Sequence, residues 1–366
     1  MTKSSAEFGK RAEQLVRDDQ WYNSGPPPEL LRQAFVTPKE LFFTRNHGAV
    51  PDVDPATYRL TVSGLVERPV VFDLQQLTAT MPRRTGVATL ACAGLRRDEL
   101  NAYRAIPGEV GWGAEPVSNG IWTGVPLREV LLKAGIGSGA KHVEFLGLDQ
   151  VERHGKEFAF GGSIPLDKAL APEVLLAFEM NGEPLPPVHG YPVRVIVPGC
   201  IGARSVKWVS EIIVTDAPSA NYFQAHAYKT FPPEIGPETV RWEDGFMLHD
   251  LPLNSVIWEP LGGSTVPAGE VTVRGWAMAS GGEMIERVEL SADGGRSWQV
   301  AELTEQGNRW TWSYWAARVS LPRGRHTVMV RATDSAGRMQ PEKVDQLWNF
   351  KGYMNNAWHR VPVEAV

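Results

Sequence analysis

EVTVRGWAM (270–278), IERVELSADGGRSWQVAEL (285–303) and RHTVMVRATDSAG (325–337) alternate apolar and polar residues with almost no helical period. Val271, Val273 and Gly275 fall on one face of the first run, Val288 and Leu290 on one face of the second. Val328, Val330 and Ala332 do the same in the third, as half-buried strands of period two require. Asp293-Gly294-Gly295, set between two apolar runs, is a hairpin signal, because these residues tolerate the positive φ of tight turns. Several short strands over residues 251–366 predict an immunoglobulin-like β-sandwich. WTWSYW (310–315) reads as one more alternating strand of it. Trp276, Trp298, Trp310, Trp312 and Trp315 give the unit more apolar surface than it readily hides. A homodimer built through residues 251–366 is the expectation.

The chain has 366 residues, beyond the roughly 250–300 at which one core stops growing, so another domain should precede the sandwich. From 31 to 250 the pattern mixes strands and helices. TYRLTVSGLV (57–66) alternates as a strand does, and YPVRVIVPG (191–199) is a short apolar strand. LREVLLKAGI (127–136) has apolar residues at helical spacing and stops at Gly135. The fold class is therefore α+β. Residues 1–30 read as a polar lead-in, amphipathic around Phe8, Leu15 and Trp21, and Pro26-Pro27-Pro28 predicts extended chain rather than helix.

A net charge of −5 argues against a nucleic-acid binder. No apolar run approaches the roughly 18–20 residues of a membrane span, and no apolar signal core begins the chain. A cytoplasmic, reduced setting is expected, since two cysteines make no disulfide framework. Dinucleotide loops, P-loops, Gly-x-Ser-x-Gly, His-Glu-x-x-His and Cys-x-x-Cys do not occur in it.

TLACAGLRRDEL (89–100) stands apart. An apolar strand end delivers Cys92 into a turn at Ala93-Gly94, and Arg96 and Arg97 follow. Nearby cations favour the thiolate, the form that ligates metals. Cys200, within VIVPGCIGA, reads as an inert buried thiol.

This segment resembles the sulfite oxidase family of molybdenum enzymes, whose pattern is Cys-Ala-Gly-Asn-Arg-Arg. FFTRNHGAVP (42–51), LAFEMNGEPLPPVHGYPVRVIVPGCIGARSVKW (176–208), AYKTF (227–231) and LWNFKGYMNNAWHRV (347–361) are similar to the family's other segments, in order. The likeness covers about residues 35–365. It implies a mixed α/β molybdopterin-binding domain over 31–250, followed by an immunoglobulin-like dimerisation domain over 251–366. It further implies Mo-molybdopterin as cofactor, with Cys92 as thiolate ligand to the metal, a donor that suits a soft transition metal. Phe43, Arg45, His47, Asp149, His189, Arg194, Ser205, Val206 and Lys207 match positions that hold the cofactor. Arg45, Arg97 and Trp112 match the substrate pocket, and Tyr228 matches a tyrosine beside the reactive oxygen. Arg45, Arg97 and Tyr228 are thus the expected catalytic groups.

The implied reaction is oxidation of sulfite to sulfate, with an external electron acceptor. No haem is expected, because residues 1–30 are too short for the haem domain of the animal enzymes. A nitrate-reductase-like or other oxyanion-directed molybdenum oxidoreductase is the alternative. Two positions depart from the pattern. Leu95 stands where the family usually has asparagine, and Lys351 where animal sulfite oxidases place a substrate-contacting arginine. Lysine keeps the charge but loses the planar fork that grips an oxyanion.

Overall fold

The computed structural model describes residues 4–366. Its first domain carries two five-stranded sheets. In one, Val117–Pro126 pairs with Arg84–Ala91 on one side and Leu175–Met180 on the other, with Arg194–Ile196 added to the latter. In the other, Val209–Thr215 lies between Arg59–Gly64, its parallel neighbour, and His142–Arg153. Leu60 and Val62 point inward from Arg59–Gly64 and are fully buried, as the alternation requires. The helix Leu127–Ala134 buries Leu127, Val130, Leu131 and Ala134, the i, i+3, i+4, i+7 stripe. Gly135 ends it at φ 71°.

The lead-in is more ordered than the triple proline suggests. Pro28 opens a one-turn helix, Pro28–Leu31, because at the first helical position proline needs no N–H partner and its fixed φ already suits the helix. Upstream, Leu15–Asp18 pairs with Asn23–Gly25. Ser24 and Thr44 exchange backbone hydrogen bonds of 3.0 and 2.7 Å, tying this arm to the segment Phe42–His47.

The second unit is a sandwich. Asn254–Glu259, Gly269–Met278, Ser313–Leu321 and Glu302–Glu305 form one sheet; Ile285–Ser291, Gly324–Asp334 and His359–Ala365 dominate the other. Val273, Val288, Leu290, Val328, Val330 and Ala332 meet between them. The turn at Asp293 closes on its own side chain, which accepts from the Arg296 and Ser297 N–H groups at 3.0 Å each.

One expectation is overturned at the junction, and the ground offered for another is weakened. The strand predicted over 310–315 begins only at Ser313. Trp310 and Trp312 instead join the domains: the Trp310 carbonyl accepts from Thr89 N–H at 2.9 Å, and the Trp312 indole donates to Phe35 O at 3.1 Å. Trp276, Trp312 and Trp315 are at most 1% exposed. The apolar surplus that pointed to a dimer is thus largely hidden within one chain, because period-two alternation says which face is apolar but not what covers it.

Between Gly324–Asp334 and His359–Ala365 the chain leaves the sandwich. Trp348 and Phe350 of this excursion pack with Leu100, Ile106 and Phe231 of the first domain. No helix among the described residues is long and apolar enough to cross a membrane.

Candidate active site

A cavity opens where Phe42–His47, the end of Arg84–Ala91 and the loops bearing His189 to Lys207 converge. Ala91 hands Cys92 to the turn, where the Cys92 N–H donates to Pro116 O at 2.9 Å. The Gly94 N–H points at the Cys92 sulfur at 3.4 Å, and the side chain is buried but lines the cavity. Arg96 then adopts a left-handed φ of 61°. This costs a non-glycine residue strain that surrounding contacts must hold in place.

Those contacts come from the second domain and the excursion. The Arg96 guanidinium donates to Asn254 Oδ1 and Ala357 O, both at 2.8 Å, and pairs with Glu99 at 2.6 Å. Asn355 donates to Arg96 O at 2.9 Å, and the Met354 N–H to Ala93 O at 2.8 Å. Arg97 donates to Val110 O, Lys351 O and Gly352 O at 2.7, 3.1 and 3.2 Å. The arginine pair after Cys92 therefore fastens the loop to chain from the far end of the sequence.

One wall carries His47 and Tyr228, joined by a 3.0 Å hydrogen bond between Nε2 and the phenol. His47 also stacks on Phe160 at 4.7 Å. Burial, reinforced by Arg45, Arg153 and Lys207, holds His47 well below its ordinary value, so its ring is neutral. Burial raises Tyr228 despite Arg45, so the phenol keeps its proton. Burial opposes the Arg45 charge, but Tyr228, Cys92, Tyr353 and Glu109 outweigh it and hold the guanidinium above its ordinary value.

The other end is cationic. Gly190, at φ 104°, lets the chain fold so that Arg194 and Lys207 close on it. A Cβ there would stand 3.0 and 3.1 Å from theirs. Arg194 donates to His189 O and Ser205 O at 3.1 and 3.0 Å, and Lys207 to Val188 O at 3.1 Å and to Asn46 Oδ1. Burial lowers Arg194 to about 9 and, with Arg194 and Arg45 adding to it, lowers Lys207 too. Asp149 is pushed up to about 6 by burial, against the pull of Lys207. Asp149 Oδ1 and Arg194 Nε, both buried, have no hydrogen-bond partner among the described residues. Orphaned polar atoms beside two buried cations fit an anionic, hydrogen-bonding ligand, and the Cys92 thiol fits a soft metal.

Ten sequence-derived positions line this cavity: Phe43, Arg45, His47, Cys92, Asp149, His189, Arg194, Ser205, Lys207 and Tyr228. Val206 does not; it is buried, and its carbonyl accepts from Val195 N–H at 2.8 Å. Trp112 packs in the cluster containing Cys92, its indole N–H without a hydrogen-bond partner among the described residues. Arg97 does not line the cavity; it lies 5.0 Å over the Tyr353 ring, which stacks on Tyr228 at 5.4 Å. Lys351 is ion-paired with Glu109, whose carboxylate also stands 3.7 Å from Arg97. Sequence reasoning singled out neither Glu109, Tyr353 nor Lys10; Tyr353 was within reach, two residues past Lys351 in a quoted segment. Burial pushes the Cys200 thiol up to about 12, with Asp250 adding to it, in keeping with an inert group.

Residues 47–223 match the family described as oxidoreductase molybdopterin binding domain, and residues 246–366 the Mo-co oxidoreductase dimerisation domain. The chain is 42% identical over 355 residues to the sulfite oxidase of Gallus gallus, covering 94% of this chain and 76% of that protein. It is 42% identical over 359 residues to the mitochondrial sulfite oxidase of Homo sapiens, covering 95% of this chain and 65% of that one. Among solved structures, the sulfane dehydrogenase SoxCD of Paracoccus pantotrophus superposes with a TM-score of 0.79 at 27% identity, over 96% of this chain and 86% of its own. Two family matches in tandem, with relatives aligned almost end to end along this sequence, make the chain a member of the sulfite oxidase family of molybdenum oxidoreductases.

Proposed function

We propose that the protein oxidises sulfite to sulfate at a mononuclear molybdenum centre and passes the electrons to an external acceptor. The observation that supports this reading is the cavity itself, with a buried thiol in its wall and the orphaned polar atoms of Asp149 and Arg194 beside two buried cations. Cys92 would ligate the metal, and Arg194, Lys207, His189 and Asp149 would hold the pterin and its phosphate. When bound, the cofactor supplies the two-electron exchange: sulfite and water give sulfate, two protons and two electrons. Arg45, half-buried in the same cavity wall as Tyr228, draws in and orients the dianion, and Tyr228 holds a proton at its phenol oxygen for hydrogen bonding to the reacting oxygen. Residues 251–366 would form a homodimer.

Metal analysis together with sulfite-dependent ferricyanide reduction tests the reading. The expected result is one molybdenum per chain and saturable sulfite oxidation, with no comparable nitrate reduction from a reduced dye. Stoichiometric metal with nitrate turnover alone would favour the oxyanion alternative, and absence of molybdenum from a folded chain would overturn both.

The Lys351–Glu109 pair makes a separate prediction. Glu109→Gln leaves the charges of Lys351 and Arg97 less compensated, so the KM for sulfite should fall, by about 3- to 10-fold at low ionic strength, and less so in added salt. Lys351→Met should raise it by a similar factor at low ionic strength, because it removes a cation and leaves the Glu109 carboxylate to Arg97 alone. Steady-state kinetics at two salt concentrations read both. Unchanged KM values in the two variants would reduce the pair to a structural clamp.

A further inference from the structure

The amino-terminal arm reaches the cavity from behind. Lys10 is only 5% exposed. Its Nζ lies 2.6 Å from Lys39 O, 2.8 Å from Phe42 O and in contact with His189 Nε2. His189 lines the cavity and meets the Phe42 ring edge-on, centroids 5.4 Å apart. The arm around Lys10 is well anchored. Phe8 stacks on Tyr22 at 4.2 Å, Gln14 donates to Glu40 O at 3.2 Å, and Arg17 pairs with Glu115 at 2.6 Å.

A lysine is an expensive filler for such a place, since its ammonium must leave water. Burial lowers Lys10 well below its ordinary value, Glu40 opposing and Lys207 adding to the effect. His189 is lowered in the same way by burial, Lys10, Arg194 and Lys207, with only the Lys39 carbonyl pulling against them. An aliphatic side chain would fill the space without that cost. What lysine adds, as an ammonium, is direction: with two N–H groups committed to carbonyls, its third points at one nitrogen of a neutral imidazole, and that nitrogen must then accept.

We propose that Lys10 is a positioning residue of the cofactor site: its donation to Nε2 of His189 fixes the imidazole with the proton on Nδ1. The arm is on this view part of the site. The identity of what Nδ1 serves rests on the cofactor reading above; the tautomer does not.

The test uses the full-length chain in two states. In cofactor-free protein labelled with ¹⁵N-histidine, long-range proton–nitrogen spectra report which nitrogen of His189 is protonated, with His189→Gln giving the assignment. The expected wild-type pattern is a protonated Nδ1 and an accepting Nε2. In Lys10→Met this should give way to a mixture of tautomers. In protein loaded with cofactor, the fluorescence of the oxidised pterin released per chain after prolonged dialysis should fall about tenfold in Lys10→Met, within the range for groups that orient a ligating side chain. Gln14→Ala, on the same arm, should change neither reading. Trypsin cleavage after Arg11 and Arg17 reports whether the arm stays docked; if it does not in Lys10→Met, the wild-type tautomer decides alone. A protonated Nε2 in the wild type overturns the proposal, as does a wild-type tautomer in Lys10→Met with the arm docked. Wild-type protein that never takes up pterin would sink the cofactor reading and leave the tautomer result standing.

Discussion

Cys92→Ser is expected to keep the fold and lose sulfite oxidation. Serine nearly matches cysteine in volume and can still accept from the Gly94 N–H that now lies 3.4 Å from the sulfur, so the turn should survive. An alcohol oxygen is a harder donor than a thiolate and suits this class of metal poorly. Groups that merely orient a metal ligand typically cost about 10- to 100-fold when removed, so loss of the ligand itself should exceed 100-fold or so. Cys200→Ala, removing the other thiol from its apolar turn, should leave the rate near that of the wild type. Thermal melts, molybdenum per chain and ferricyanide rates on the two variants check the pair of outcomes. A Cys92→Ser enzyme working at the wild-type rate would end the ligand assignment.

Tyr228→Phe should lower kcat by about 100-fold, with a smaller change in KM, the lower part of the range for a positioned proton donor. The phenol is raised above its ordinary value, chiefly by burial. A raised acid stays protonated until the pH passes its new value, so activity that needs the proton is intact below the normal tyrosine range and lost only above it. His47, lowered chiefly by burial, stays neutral through the same interval and so adds no charge beside the phenol. The wild-type kcat should therefore show no alkaline limb from Tyr228 below about pH 10, the unperturbed tyrosine value. A limb near neutrality that disappears in Tyr228→Phe would contradict the assignment.

Much of the sandwich was legible because alternation speaks directly about burial: Val328, Val330 and Ala332 share a face in the sequence and a core in the structure. The strand-to-turn delivery of Cys92 was legible for the same reason, an apolar run ending at small residues. The site was not assembled by local pattern. Cys92, His189 and Tyr228 meet only through tertiary folding, and the likeness to a known family is what linked them beforehand. Lys10 and Glu109 left no trace, since a single charged residue in a polar stretch has no period and no motif. Trp312 was misread for a subtler reason. Its apolar character was plain, but only three dimensions show that it faces Phe35 and Thr89 rather than a second protomer.

The stitching of the Cys92 loop to the excursion has a consequence for how the molecule is made. Arg97 and the Lys351 carbonyl that it binds are 254 positions apart. Translation adds about 5–20 residues per second, so roughly 13–50 s separate the emergence of the two. Throughout that interval Arg96 lacks the Ala357 carbonyl, Arg97 lacks the Lys351 and Gly352 carbonyls, and Asn355 does not yet exist to hold the strained backbone of Arg96. The thiol is thus among the early parts of the protein to be synthesised, while the bonds that set its loop in place are among the last. A nascent chain stopped before residue 351 can contain every cavity-lining residue named above and still not have a finished site.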